Sequence, residues 1–227
     1  MIRYLLFDID DTLLNFRDTV DDTIGRALAD MGLSFTEEQF ALYHRINGEL
    51  WAQVAAGRLE CERLYEIRFQ RALDAMRIYA DGSELERRFR VRLRESAQPE
   101  EGALETLRAL SERYTLAAAS NAPHIQQVER LEQAGLAPYL THVFTSGGLG
   151  YDKPSPLFYG ACLEALGDPP REDVMMLGDS LAADVLGAHR FGLQACWVNL
   201  KGAPAPADLP DGIPTVHALP ELKTLLL

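Results

Sequence analysis

The chain has 227 residues, 47% of them apolar, and a formal charge of −12 from 22 Lys and Arg against 34 Asp and Glu. That length and apolar content build one large domain or a core with a small accessory domain, and they exclude intrinsic disorder. The acidic excess repels polyanions, which argues against a nucleic-acid polymer or an acidic membrane surface as partner.

In chain order, Tyr4 to Ile9 is a short apolar run ending in acids, the pattern of a buried strand in a parallel sheet. Its centre, Leu5-Leu6-Phe7, is cut off by Asp8 too early for a signal-peptide core, and no later stretch approaches a membrane span, so a soluble, cytoplasmic protein is expected. From Arg17 to Ser96 the spacing is helical almost throughout, with Val20, Ile24, Ala27, Leu28 and Met31 on one stripe and Leu42, Ile46 and Leu50 on another. From Glu101 onward helices and strands alternate. Ala103 to Leu110 precedes Tyr114 to Ala119, Ile125 to Ala134 precedes Val143 to Thr145, Leu157 to Leu166 precedes Val174 to Leu177, and Leu181 to Phe191 precedes Ala195 to Val198.

Such alternation predicts an α/β fold with a doubly wound parallel sheet, formed by residues 1–16 and 97–227, with an inserted α-helical domain over 17–96. Lys201 to Pro214, with four prolines, reads as a loop before a short C-terminal helix. Cys61, Cys162 and Cys196 form no CxxC, so neither a disulfide framework nor a structural zinc site is indicated.

Open α/β sheets bind ligands at the carboxyl ends of their strands. Four predicted strand ends carry polar groups: Asp8-Ile9-Asp10-Asp11-Thr12, Ser120-Asn121, Lys153-Pro154 and Gly178-Asp179-Ser180. Asp8 and Asp10 leave the first strand where the chain begins to turn, and Asp179, with Asp184 a helical turn on, approaches from another strand. Clustered carboxylates repel, and Mg²⁺ relieves that repulsion while keeping positions for water and a phosphate. Lys153 is one of only three lysines among 22 basic residues, and a compact ammonium suits a phosphoryl group. A helix starting near Pro123 would offer amide N–H groups to an anion. Asp11 is expected to face solvent, and the five histidines show no ligand spacing.

In this order the four segments resemble the motifs of the haloacid dehalogenase superfamily, whose capped members carry a helical insert between the first and second motifs. The resemblance implies that Asp8 attacks phosphorus and becomes an aspartyl-phosphate, and that Asp10 protonates the leaving oxygen and later deprotonates water. It also implies that Asp8, Asp179 and the backbone carbonyl of Asp10 hold Mg²⁺, that Ser120 and Lys153 bind phosphoryl oxygens, and that Thr12 and Asn121 lie at the substrate with Ser180 and Asp184 in support. Relatives that cleave carbon–halogen bonds lack Asp at the position of Asp10, so phosphoryl transfer is favoured. Ala122 replaces a common Gly, and Gly147-Gly148 stand where acids are frequent.

The segments Asn47-Gly48-Glu49-Leu50-Trp51 and Cys196-Trp197-Val198-Asn199 are similar to those of capped pyrimidine 5′-nucleotidases, which implies a nucleoside 5′-monophosphate as the small phosphorylated substrate, with Asn47 and Trp51 at the base. Periodicity alone places Trp51 in the core, and Arg87, Arg88, Arg90, Arg92 and Arg94 on a solvated helix face. A phosphatase of phosphoglycolate or of a sugar phosphate, a phosphosugar mutase and a phospho-acceptor regulatory module remain as alternatives.

Overall fold

The computed structural model describes residues 1–207 and 209–227. In chain order its first elements are β1 (Tyr4–Phe7), α1 (Arg17–Ala29), α2 (Glu37–Ala55), α3 (Cys61–Met76), α4 (Gly82–Arg94), α5 (Ala103–Ser111), β2 (Thr115–Ser120) and α6 (His124–Gln133). There follow β3 (His142–Thr145), α7 (Ser146–Leu149), α8 (Pro156–Ala165), β4 (Val174–Gly178), α9 (Leu186–Phe191), β5 (Gln194–Val198), β6 (Thr215–Val216) and α10 (Glu221–Leu226). The chain divides into two compact units, Met1–Phe16 with Ala97–Leu227, and Arg17–Ser96.

The first unit is built on a six-stranded parallel sheet in the order β3-β2-β1-β4-β5-β6. Strand side chains alternate between faces, so each strand feeds two cores. Leu5 and Phe7, with Leu116, Ala118, Met175 and Leu177, meet Leu107, Leu110 and Leu131 on one face. Leu6, Ala117, Ala119 and Met176 meet Phe158, Tyr159, Cys162 and Ala188 on the other. Burial on both faces explains why these strands read as unbroken apolar runs.

Register then decides what meets at the strand ends. Phe7 lies level with Ala118 on β2 and Leu177 on β4, so Asp8, Ser120 and Asp179 leave the same rim of three adjacent strands. The sequence reading missed β6, which at two residues is too short to show a period and exists through its pairing with Trp197 and Val198. The helix expected over Leu181 to Phe191 is instead a π-helical turn, Leu181–Val185, leading into α9. Helix α7 was not expected, because Gly147 and Gly148 disfavour helix; the Thr145 hydroxyl accepts the Gly148 N–H and caps it.

In the second unit, α3 packs on α2 and α4, and α1 packs on α4. Helix α2 starts with a capping box between Thr36 and Gln39. Rings of Tyr43 and Phe69 stack at 5.1 Å and Phe89 meets Phe69 edge-on at 5.5 Å. Among them Arg68, a position periodicity alone would not bury, forms a two-pronged ion pair with Glu86 at 2.7 and 3.0 Å, both side chains less than a tenth exposed. Gly82 permits the approach of α4 to α3, since a Cβ there would lie 2.4 Å from the Gln70 nitrogen. The arginine-rich stretch is an ion-paired outer face: Arg87 and Arg88 bond Glu84, Arg90 bonds Glu86, and Arg92 bonds Asp30 and Glu95.

Removing one member of a buried pair strands the other charge, which typically costs about 3–5 kcal/mol. Glu86→Ala should therefore lower the unfolding free energy from urea titration by an amount in that range, read as a lower midpoint at an unchanged slope. A loss under about 1 kcal/mol would show that the Arg68 guanidinium finds water or another partner.

Candidate active site

The site is organised around Lys153, whose side chain is 2% exposed. Its Nζ donates to Asp8 Oδ1 at 2.7 Å, Asp184 Oδ1 at 2.7 Å and the Ala119 carbonyl at 2.6 Å, so three N–H groups meet three acceptors. Asn121 fixes the lysine from behind. Its side chain donates to the Lys153 carbonyl at 2.8 Å and accepts the Lys153 N–H at 2.7 Å. Asn121 was expected at the substrate; these bonds give it the task of anchoring Lys153.

Asp8 follows β1 directly, and its N–H continues the ladder to the Leu177 carbonyl at 2.8 Å. Asp179 follows β4, with its N–H donating to the Thr12 hydroxyl at 3.1 Å and its carbonyl accepting from the Trp197 indole at 2.9 Å. Thr12 is fully buried, and its hydroxyl holds the Asp179 backbone. Trp197 likewise serves the framework. Asp184 reaches the rim because the π turn carries it inward, where its Oδ2 accepts the Ser180 N–H at 3.1 Å while the Ser180 hydroxyl caps the turn through Ala183. Gly178 makes room, for a Cβ there would sit 2.3 Å from Asp184 Oδ2.

Carboxylate oxygens of Asp8, Asp179 and Asp184 all lie within 4.8 Å of one another. The acids bring three negative charges and Lys153 one positive, an imbalance that matches a divalent cation with oxygen ligands. Burial pushes the Asp8 carboxyl up to about 7; Lys153 opposes this, while Asp184 and Asp10 add to it. Asp179 is raised well above the usual range by burial and by the charges of Asp8 and Asp184. Burial works to lower the Lys153 ammonium, but Asp184 and Asp8 outweigh it and hold the amine protonated. These residues thus fit a hard metal ion by chemistry and by crowding. Asp184, expected to approach beside Asp179 and to support the site, belongs to the carboxylate cluster itself, whereas the Asp10 side chain does not.

The Asp10 carboxyl faces α6. Gln127 Nε2 donates to its Oδ2 at 2.7 Å and Arg130 Nη1 to its Oδ1 at 2.5 Å. Gln127 Nε2 also donates to the Ser120 hydroxyl at 3.0 Å, and Arg130 Nη1 to Gln127 Oε1 at 2.9 Å. Sequence reasoning missed Gln127 and Arg130. Their signal was polar residues at i and i+3 beside Leu131, on the helix that follows Ser120-Asn121. Asp11, expected in solvent, has a side chain 15% exposed and pairs with Lys201 at 3.0 Å. Asn47 and Trp51 belong to the other unit, on α2. There Trp51 meets Tyr65 edge-on at 6.0 Å, and the Asn47 side-chain oxygen is buried without a hydrogen-bond partner among the described residues.

The haloacid dehalogenase-like hydrolase family model matches residues 2–192. The chain belongs to that family of hydrolases. YfnB of Bacillus subtilis, a HAD-hydrolase, is 31% identical over 99% of this chain and 95% of its own. Its crystal structure, bound to magnesium, superposes with a TM-score of 0.91 over 99% of this chain and 98% of that one. Pyrimidine 5′-nucleotidase PynA of Streptococcus pneumoniae is 34% identical over 87% of this chain and 84% of its own. Pyrimidine 5′-nucleotidase YjjG of Escherichia coli is 30% identical over 98% and 97%.

Because Asp8 and Asp179 titrate above the ordinary 3.8, the folded protein holds more protons than the unfolded chain between that value and about 7. Stability in EDTA therefore falls as pH rises through this window, and a cation that displaces the protons restores it. The Tm in EDTA should decline from about pH 5 to about pH 7, the gain from Mg²⁺ should be larger at the higher pH, and Asp179→Asn should flatten both trends. A Mg²⁺ gain that shrinks with rising pH would refute this account of the cluster.

Proposed function

We propose that the chain is a magnesium-dependent phosphomonoesterase that works through an aspartyl-phosphate on Asp8, and that its substrate is a nucleoside 5′-monophosphate. The observation that carries the reading is the buried Lys153 beside Asp8, Asp179 and Asp184, with a second acid, Asp10, two residues past the nucleophile. A carbon–halogen bond needs no leaving-group acid, whereas an ester oxygen does.

In this reading Asp8, Asp179 and the Asp10 backbone carbonyl, with Asp184 adjoining, would hold Mg²⁺, which when bound supplies positive charge to the phosphoryl oxygens. Ser120 orients the phosphoryl group at the rim, and Lys153 does so by turning one of its three N–H groups from its present acceptor to a phosphoryl oxygen. The Asp8 carboxylate forms a bond to phosphorus as the ester P–O bond breaks, and Asp10 gives its proton to the departing oxygen. Water then attacks phosphorus, Asp10 takes the water's proton, and phosphate leaves with Asp8 restored. Lys153 favours the ionised form of Asp8 against the burial that raises it and aims the carboxylate before attack.

The nucleotide assignment draws on the Asn47 to Trp51 segment and on the two nucleotidases similar along most of the chain. Trp51 supplies a ring for stacking, and the unpartnered Asn47 oxygen an acceptor for an N–H donor. Three buried free thiols suit a reducing compartment, and we place the enzyme in the cytoplasm.

Phosphate release from p-nitrophenyl phosphate should require Mg²⁺, and Asp8→Asn should lower kcat by at least about 10³-fold; undiminished turnover in that variant would end the reading. Across a substrate panel, kcat/KM for pyrimidine 5′-monophosphates should exceed that for phosphoglycolate and hexose phosphates by about tenfold or more. Trp51→Ala should raise KM for the nucleotide about tenfold, as loss of base stacking does, and change p-nitrophenyl phosphate turnover far less. Preference for phosphoglycolate would remove the nucleotide assignment alone, and isomerisation of a hexose 1-phosphate without phosphate release would replace the hydrolase with a mutase.

A further inference from the structure

Helix α6 carries a hydrogen-bonded pair that the reaction described above does not use. Gln127 and Arg130 are both fully buried. Arg130 stacks its guanidinium 5.9 Å from the Phe16 ring centre, yet its Nε and Nη2 make no hydrogen bond among the described residues. A buried guanidinium with donors unmet is costly, and its retention calls for a reason. The hydrogen bonds that the Arg130 guanidinium does make among the described residues run from a single nitrogen, Nη1, to Asp10 Oδ1 and Gln127 Oε1. Gln127 in turn divides its two N–H groups between Asp10 Oδ2 and the Ser120 hydroxyl.

Every oxygen of the Asp10 carboxyl is therefore held from one helix. The same helix follows directly from the strand end that carries Ser120. A flexible Asp side chain at a strand-to-loop turn has several staggered orientations, and only some of them direct an oxygen at the ester oxygen of a phosphoryl group held by Ser120. Gln127 ties the two groups into one unit, because a shift of the amide moves both.

We propose that Gln127 and Arg130 are positioning residues that orient the proton-transferring carboxyl of Asp10 relative to the phosphoryl group at Ser120. The proposal rests on the phosphomonoesterase reading and adds to it the pair that sets the leaving-group step. Neither side chain touches substrate. Their effect passes through Asp10, so it must scale with how much the departing oxygen needs a proton.

The test compares kcat/KM for phenyl phosphate, whose leaving oxygen needs protonation, with that for dinitrophenyl phosphate, whose leaving oxygen does not, in the full-length protein with Mg²⁺. General acid catalysis is typically worth about 10²–10⁴-fold, so Asp10→Asn should widen the ratio of the two substrates by that order. Gln127→Met, close in size to the native residue, should widen it about tenfold or more. Arg130→Met should do the same, with Arg130→Lys recovering part of the loss because it returns a donor toward Asp10 Oδ1. Should Arg130→Met fail to fold, Gln127→Met decides the question, with its thermal melt as the control for integrity.

Equal losses on both substrates in a folded Gln127→Met, while Asp10→Asn still discriminates, would overturn the positioning role and leave the enzyme reading intact. An Asp10→Asn variant that does not discriminate between leaving groups would overturn the acid assignment and this proposal with it. A Gln127→Met variant that keeps the native ratio would likewise refute it.

Discussion

Burying one ammonium among acids is the constraint on which the site depends. Two carboxylates and a backbone carbonyl surround Lys153 Nζ, and without that charge Asp8 and Asp184 would face each other in a medium where like charges are poorly screened. A lysine this deep holds its proton only because the acids hold it there. The arrangement is reciprocal: Lys153 opposes the burial that raises Asp8, yet one cation does not neutralise three acids, so Asp8 and Asp179 remain above the ordinary carboxylate range. The residual charge is what makes the cluster a place for a divalent cation.

Several unrelated-looking features serve this cluster. Asn121 grips the backbone of Lys153, and Thr12 and Trp197 grip that of Asp179. Gly178 and the π turn together admit Asp184. Each of these residues limits the freedom of a member of the cluster, and preorganised charge is the usual source of catalytic power in water-poor sites. Helix α6 forms a separate brace around Asp10, so Asp8 and Asp10 are held by different parts of the core.

The family's motifs were legible because they sit at strand ends, where a run of apolar residues stops and polar ones begin. Asp8, Asp10, Ser120 and Asp179 announce themselves in this way, and Lys153, in the loop beyond α7, stands out as one of only three lysines. Thr12 and Asn121 were seen as members of the same segments, but their tasks were not, since a hydroxyl or an amide at a rim faces ligand or framework with equal ease. Gln127 and Arg130 were hidden by their helix, where polar residues at helical spacing are the pattern of an outer face. Arg68 and Glu86 were hidden for the same reason: the burial of an ion pair depends on a neighbouring helix, and no local pattern encodes it.

By itself the sequence determined the alternation of strands and helices, the helical segment between the first strand and the rest, and the acids and lysine that would meet at one rim. Those features follow from local periodicity and from chain breaks, which are properties of adjacent residues. Only the tertiary structure decided that Asp184 joins the cluster, that Thr12 and Trp197 hold Asp179, and that Gln127 and Arg130 hold Asp10. Several of these contacts join residues more than a hundred positions apart, as with Thr12 and Asp179 at a separation of 167 and Asp10 and Arg130 at 120. Their partners are chosen by strand register and helix packing, and neither is written in the spacing of any one segment.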